Sequence, residues 1–105
     1  MDKYALLVML RARAGKEEAV ESFLISARPL VLREIGTTSW YAVKLGSARF
    51  GIFDTFADDG GRDAHLNGEV ARLLFANADE LFAEPPVVER LDILSAKSQQ
   101  ENPSA

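Results

Sequence analysis

Two titratable side chains stand in surroundings that make them candidates for chemistry. In FGIFDTFADDGGRDAH, Asp54 lies among Phe50, Ile52, Phe53 and Phe56, and His65 is the only histidine of the chain. A carboxylate among apolar neighbours is costly unless something holds it or uses it. Imidazole titrates near neutral pH, so His65 could act as a general base or bind a haem iron. Asp54 could orient His65 or a substrate hydroxyl, or carry a pKa raised by desolvation. The structural alternatives are equally concrete. His65 could be a polar residue at a helix end, bonded to local backbone. Asp54 could form an ion pair with Arg49, Arg62 or Arg90. Phe56 and Trp40 offer flat apolar walls to an aromatic ligand, and they also suit core or dimer packing. Tyr41 and Arg49 could donate to a ligand oxygen or seal the sheet edge. Asp58-Asp59-Gly60-Gly61 lacks the ligand spacing of a calcium loop and reads as a flexible, solvated turn.

The elements that must position these groups follow from hydrophobic period. Tyr4 to Arg13 alternates, with Val8, Leu10 and Ala12 on one face, and reads as a first strand. Ala14-Gly15 punctuates the chain. Lys16-Glu17-Glu18 then opens a helix, its acids suited to the positive end. Val20, Phe23, Leu24, Ala27, Leu30 and Val31 form one stripe that carries this helix to about Arg33, with a kink or last turn at Pro29. Gly36 suits a left-handed cap. Thr38 to Leu45 and Arg49 to Phe56 read as two strands of a hairpin turning at Gly46-Ser47. Arg62 to Asn67 reads as one helical turn. A second main helix is expected from Glu69 to about Ala83, stopped by Pro85-Pro86. Val87 to Ala96 reads as the fourth strand, and residues 97–105 as a mobile polar tail after a single domain over 1–96. The order β-α-β-β-α-β is the α+β, ferredoxin-like arrangement, a four-stranded antiparallel sheet with helices on one face. The hairpin carries apolar side chains at both parities, so the second sheet face needs covering, and a symmetric homodimer packed sheet to sheet is the simplest cover.

Composition removes several classes of function. The chain has 105 residues, a net charge of −4 and no basic run, so nucleic acid is not the expected partner and anionic membranes are disfavoured. It has no cysteine, which excludes disulfides and thiolate chemistry. One histidine excludes a multi-histidine metal site within one chain. The opening MDKYALLVML is too short and too soon charged for a spanning helix, and a cytoplasmic location is expected.

From about Tyr4 to Ala96 the chain resembles the antibiotic biosynthesis monooxygenase family of dimeric α-β barrels. The resemblance rests on AGKEEAVESF after the first strand, GTTSWYAV, and FGIFDTFAD running into RDAHLNG. Asp54, Phe56 and His65 follow the family's order of an acid, an aromatic two positions on, and a later histidine. The resemblance implies a cofactor-independent monooxygenase acting on an electron-rich aromatic or polyketide-like substrate. His65 and Asp54 would then be catalytic, with Trp40, Tyr41, Arg49 and Phe56 binding substrate. Haem-degrading relatives place a tryptophan where this chain has Phe56 and an asparagine in the first strand, which has none here. The family's proline before the first helix is Ala14. The alternative class is a non-catalytic dimer that binds a small ligand such as haem, or serves a stress response.

Overall fold

A computed structural model describes residues 2–98; the tail beyond Ser98 lies outside the described residues. Strand β1 (Tyr4–Arg11) leads to helix α1 (Glu17–Ser26) and the single turn α2 (Arg28–Val31). Strands β2 (Thr37–Lys44) and β3 (Arg49–Phe56) form the hairpin. Helices α3 (Asp59–Leu66), α4 (Glu69–Ala76) and α5 (Ala78–Leu81) precede β4 (Val87–Asp92). The strands make one antiparallel sheet in the order β2-β3-β1-β4, which is the ferredoxin-like topology.

Register decides which residues face the helices. Leu6, Val8 and Leu10 of β1 oppose Asp54, Ile52 and Phe50 of β3, and this parity turns inward. Val8, Leu10, Phe50 and Ile52 pack with Val20 and Leu24 of α1 and Leu74 of α4. Burying a side chain the size of Phe50 stabilises the fold by about 1.5–3 kcal/mol. A second cluster, Ala27, Val31 and Val70, joins α2 to α4, and Trp40 packs against both clusters. The opposite parity, including Leu7, Met9, Tyr41, Val43 and Phe53, lies on the sheet face that carries no helix.

Several boundaries differ from the expected ones. The first helix breaks at Ala27 rather than running to Arg33. Pro29 lacks an N–H, and its ring would meet the carbonyl of Ile25 in a continuous helix, so the chain restarts as α2 with Pro29 in its first turn. The second long helix divides at Asn77, whose side-chain amide donates to the Leu73 carbonyl at 2.8 Å. Asp58-Asp59-Gly60-Gly61 is not a flexible turn but the start of α3, and the single helical turn expected over Arg62 to Asn67 is part of a helix of two turns. The Asp58 side chain accepts from the Gly61 N–H at 2.7 Å and caps α3. Asp59 pairs with Arg62 at 3.0 Å. The acidic run is therefore a helix start. β4 ends at Asp92 rather than Ala96. Gly36 is not a left-handed cap, since only Gly15 has a positive φ among the described residues. Gly36 instead touches Gly61: a Cβ on Gly36 would stand 2.7 Å from the Gly61 Cα. This close approach seats the start of α3 against the loop between α2 and β2.

Candidate active site

α3 is short, but its spacing points two buried side chains at the sheet. Arg62 and His65, three apart, lie on one helical face. Arg62 donates from Nη1 to the Leu91 carbonyl at 3.2 Å and its guanidinium lies 5.2 Å from the Tyr4 ring, which ties α3 to β1 and β4. His65 reaches β3, where its Nε2 is 3.0 Å from Asp54 Oδ2. Asp54 thus pairs with His65, not with Arg49, Arg62 or Arg90. Arg62 is committed to Asp59 and Arg90 to Asp63.

The other ring nitrogen of His65 is also engaged. Nδ1 lies 2.5 Å from Glu34 Oε1. Glu34 sits in the loop after α2, and the Thr37 hydroxyl donates to the same Oε1 at 2.7 Å. The three titratable groups form a line from the interior outward: Asp54 is wholly buried, His65 nearly so, and the Glu34 side chain is 19% exposed. They do not converge on one point, and among the described residues no group of three or more acidic, histidine or cysteine side chains is placed to hold a metal ion.

Electrostatics follow from this line. Burial raises the Asp54 pKa, and the contact with His65 opposes that rise without cancelling it. For His65, burial works against the imidazolium, but the contacts and charges of Asp54 and Glu34 outweigh it and raise the pKa. The Nε2–Oδ2 pair is close yet bent away from hydrogen-bond alignment, so neither Asp54 oxygen has an aligned donor. A buried acceptor without a donor costs about 1–3 kcal/mol. The indole N–H of Trp40, directly across from Asp54 on β2, is likewise buried without an acceptor.

The structure brings four of the six candidate residues together. Phe56 stacks obliquely on His65, ring centroids 5.4 Å apart at 45°. Trp40 opposes Asp54 on the helix-covered face. Tyr41 and Arg49 are separated from this group. Tyr41 points to the other sheet face, where it is 59% exposed, and Arg49 is exposed at the far end of β3. Glu34 is the partner that sequence reading missed. It lies 31 residues from His65, and no local spacing marks it. Haem fits this geometry poorly, because both nitrogens of His65 face carboxylates and an iron would have to displace one of them.

No protein-family model and no curated protein matches the chain. Among solved structures, the NE2512 protein of unknown function from Nitrosomonas europaea is 51% identical, with a TM-score of 0.91 over 93% of this chain and 95% of that one. Rv0793 from Mycobacterium tuberculosis is 19% identical, with a TM-score of 0.80 over 90% of this chain and 98% of that one. A provisionally named antibiotic biosynthesis monooxygenase from Nitrosomonas europaea is 17% identical, with a TM-score of 0.78 over 88% of this chain and 99% of that one. The two distant likenesses show a shared fold. At half identity over nearly its whole length, the chain belongs to the same family as the NE2512 protein.

Proposed function

We propose that the protein is a small cofactor-independent monooxygenase acting on an electron-rich aromatic or polyketide-like substrate. The observation that carries this is Asp54, a wholly buried carboxyl 3.0 Å from His65, with no aligned hydrogen-bond donor to either oxygen among the described residues. Stability alone gives no reason for such a group. A carboxylate with a raised pKa is a stronger base than one on the surface. We give the base role to Asp54 rather than His65, because both nitrogens of His65 face carboxylates.

The chemistry closes on the substrate and dioxygen. The keto tautomer of a phenol carries a CH2 group. Asp54 takes one of its protons, and His65, held by Glu34, balances the charge. The carbanion gives an electron to dioxygen, and the radical pair combines into a carbon–oxygen bond. Asp54 returns its proton to the peroxide. Loss of water, which takes the second hydrogen, leaves a carbonyl. One oxygen atom enters the product, the other leaves as water, and the substrate carbon supplies all four electrons. Asp54→Asn should lower kcat for hydroxylated aromatics by at least about 100-fold with KM little changed. Oxygen uptake measures it, and an Asn variant of undiminished kcat would end the proposal.

The assembly we propose is a homodimer packed through the sheet face that lacks helices. Tyr41, Val43, Leu45 and Val87, all about half exposed, make that face apolar, and soluble monomers rarely carry such a patch. Light scattering should give twice 11.5 kDa. A species of 11.5 kDa at micromolar concentration would contradict the dimer.

A second reading draws on how closed the site is. A dimer that binds a small ligand without turning it over needs only the apolar walls. It predicts ligand binding with no oxygen uptake on any bound compound.

A further inference from the structure

Two apolar features lie uncovered at opposite edges of the sheet. The first is a groove of about 220 Å³ that runs over the outer edge of β2. Leu24 and Ile25 of α1, Ala42 and Val43 of β2 and Phe50 of β3 line it, with Glu21 and Lys44 paired at its rim. Among the described residues no strand pairs with that edge. A bare edge offers its backbone N–H and C=O groups to any strand that reaches it, and proteins commonly blunt such an edge with charge, proline or a bulge. β4, the other edge, carries Glu89, Arg90 and Asp92. β2 has neither charge nor proline from Thr37 to Val43, and its register shift, between Thr37 and Ser39, lies at the end away from the groove. The second feature is Leu94. Ile93 donates its N–H to the Lys3 carbonyl at 2.8 Å; beyond it residues 94–97 belong to neither strand nor helix, and Leu94 is 92% exposed.

These two features cannot meet within one chain. Asp92 stands level with Tyr4, Phe56 and Thr37 at one end of the sheet. Ala42 pairs with Ile52, four residues from Phe56 along β3, and β2 is three strand spacings from β4. At about 4.8 Å per strand and 3.3 Å per residue, Asp92 and Ala42 are roughly 20 Å apart. Leu94, two residues past Asp92, extends at most about 7 Å from it. A second copy meets no such limit. Its arm, laid antiparallel to β2 with Leu94 opposite Ala42, puts Asp92 opposite Lys44 and Ala96 opposite Trp40. Asp92, Lys44, Ala42 and Trp40 share the parity that faces the helices, and strand alternation carries Leu94 and Ala96 to the same side. The leucine then meets the apolar walls, the small alanine meets the indole, and the carboxylate meets the ammonium. Each copy carries this groove and this arm, so one two-fold axis satisfies both contacts.

We infer that the groove between α1 and β2 is the docking site for the C-terminal arm, residues 94–97, of a second copy, in a reciprocal exchange. The inference adds a contact to the homodimer proposed above and does not rest on the oxygenase reading. The chain has no cysteine, and Ala42 and Leu94 are both exposed, so Ala42→Cys and Leu94→Cys should leave the fold intact. Facing residues of an antiparallel pair have Cα atoms about 4.5–5.5 Å apart, within reach of a disulfide. On mild oxidation the full-length double variant should run as a covalent dimer of twice 11.5 kDa on a non-reducing gel, and each single variant as a monomer. In the cysteine-free chain, Leu94→Asp should weaken dimerisation at least about tenfold in sedimentation, since a carboxylate replaces leucine against apolar walls. A double variant that links no faster than the single ones, a ladder of open-ended oligomers, or a dimer whose affinity Leu94→Asp leaves unchanged would each overturn the exchange. Tyr41→Glu reports on the sheet face alone. If it leaves the dimer affinity unchanged while the cysteines still link, the sheet-face contact fails and the arm stands. If it abolishes the dimer while Leu94→Asp does nothing, the arm fails and the sheet face stands.

Discussion

Replacing His65 with leucine will destabilise the protein by about 3–5 kcal/mol, and adding Asp54→Val will recover most of that loss. The single change removes the only cation between two carboxylates. Asp54 is left wholly buried with no partner, and it sheds the charge only by protonating. The double change removes both ends of the buried pair. Leucine has nearly the volume of histidine, and valine suits the central position on β3 between Leu6 and Trp40. Swapping a buried pair for packed apolar groups is often neutral or stabilising by about 1–4 kcal/mol. A urea-unfolding cycle of the natural protein, both single variants and the double variant checks this. A coupling energy above about 2 kcal/mol is expected between two residues in direct contact. Strictly additive losses would show that the two groups do not act as a pair. A double variant more stable than the natural protein, yet inactive, would place the pair's purpose in function.

Most of the frame around this pair was readable in the sequence, for a physical reason. Strand and helix periods differ, and the turn residues between them are strong, so β-α-β-β-α-β emerges from patterning alone. Asp54 was marked by its four apolar neighbours, and its burial is complete. Tyr41 and Arg49 went astray through parity. β2 is apolar at successive positions, so nothing local says that Trp40 faces the helices and Tyr41 faces away, and a shift of one residue reverses every side chain. Glu34 was invisible for a different reason. It looks like the end of a helix, and it becomes a partner of His65 only because α3 is drawn against the preceding loop where Gly36 meets Gly61. Such a contact depends on how two segments dock, which no period in either segment encodes.

The same docking sets an unusual response to pH. Unfolded, Asp54 and His65 titrate near 3.8 and 6.5, and folding raises both values. A raised pKa means that the folded chain holds the proton more tightly. For His65 the resulting stability is fully present below pH 6.5 and is lost as pH rises through the folded pKa. For Asp54 the penalty of burying a charge sets in as pH rises above 3.8 and is complete above the folded pKa. Both groups therefore push the same way: stability declines from mildly acidic toward alkaline pH, most steeply above 6.5, where the imidazolium between the two carboxylates loses its proton. Many proteins do the reverse in acid, because their paired carboxylates have lowered pKa values. Urea midpoints measured from pH 5 to pH 9 should fall for the natural protein. His65→Gln should flatten the slope above pH 6.5, since glutamine can bridge the two carboxylates but cannot titrate. A midpoint that rises across that window, or a slope that His65→Gln leaves intact, would mean that His65 is neutral in the fold and that the buried line carries no cation at its centre.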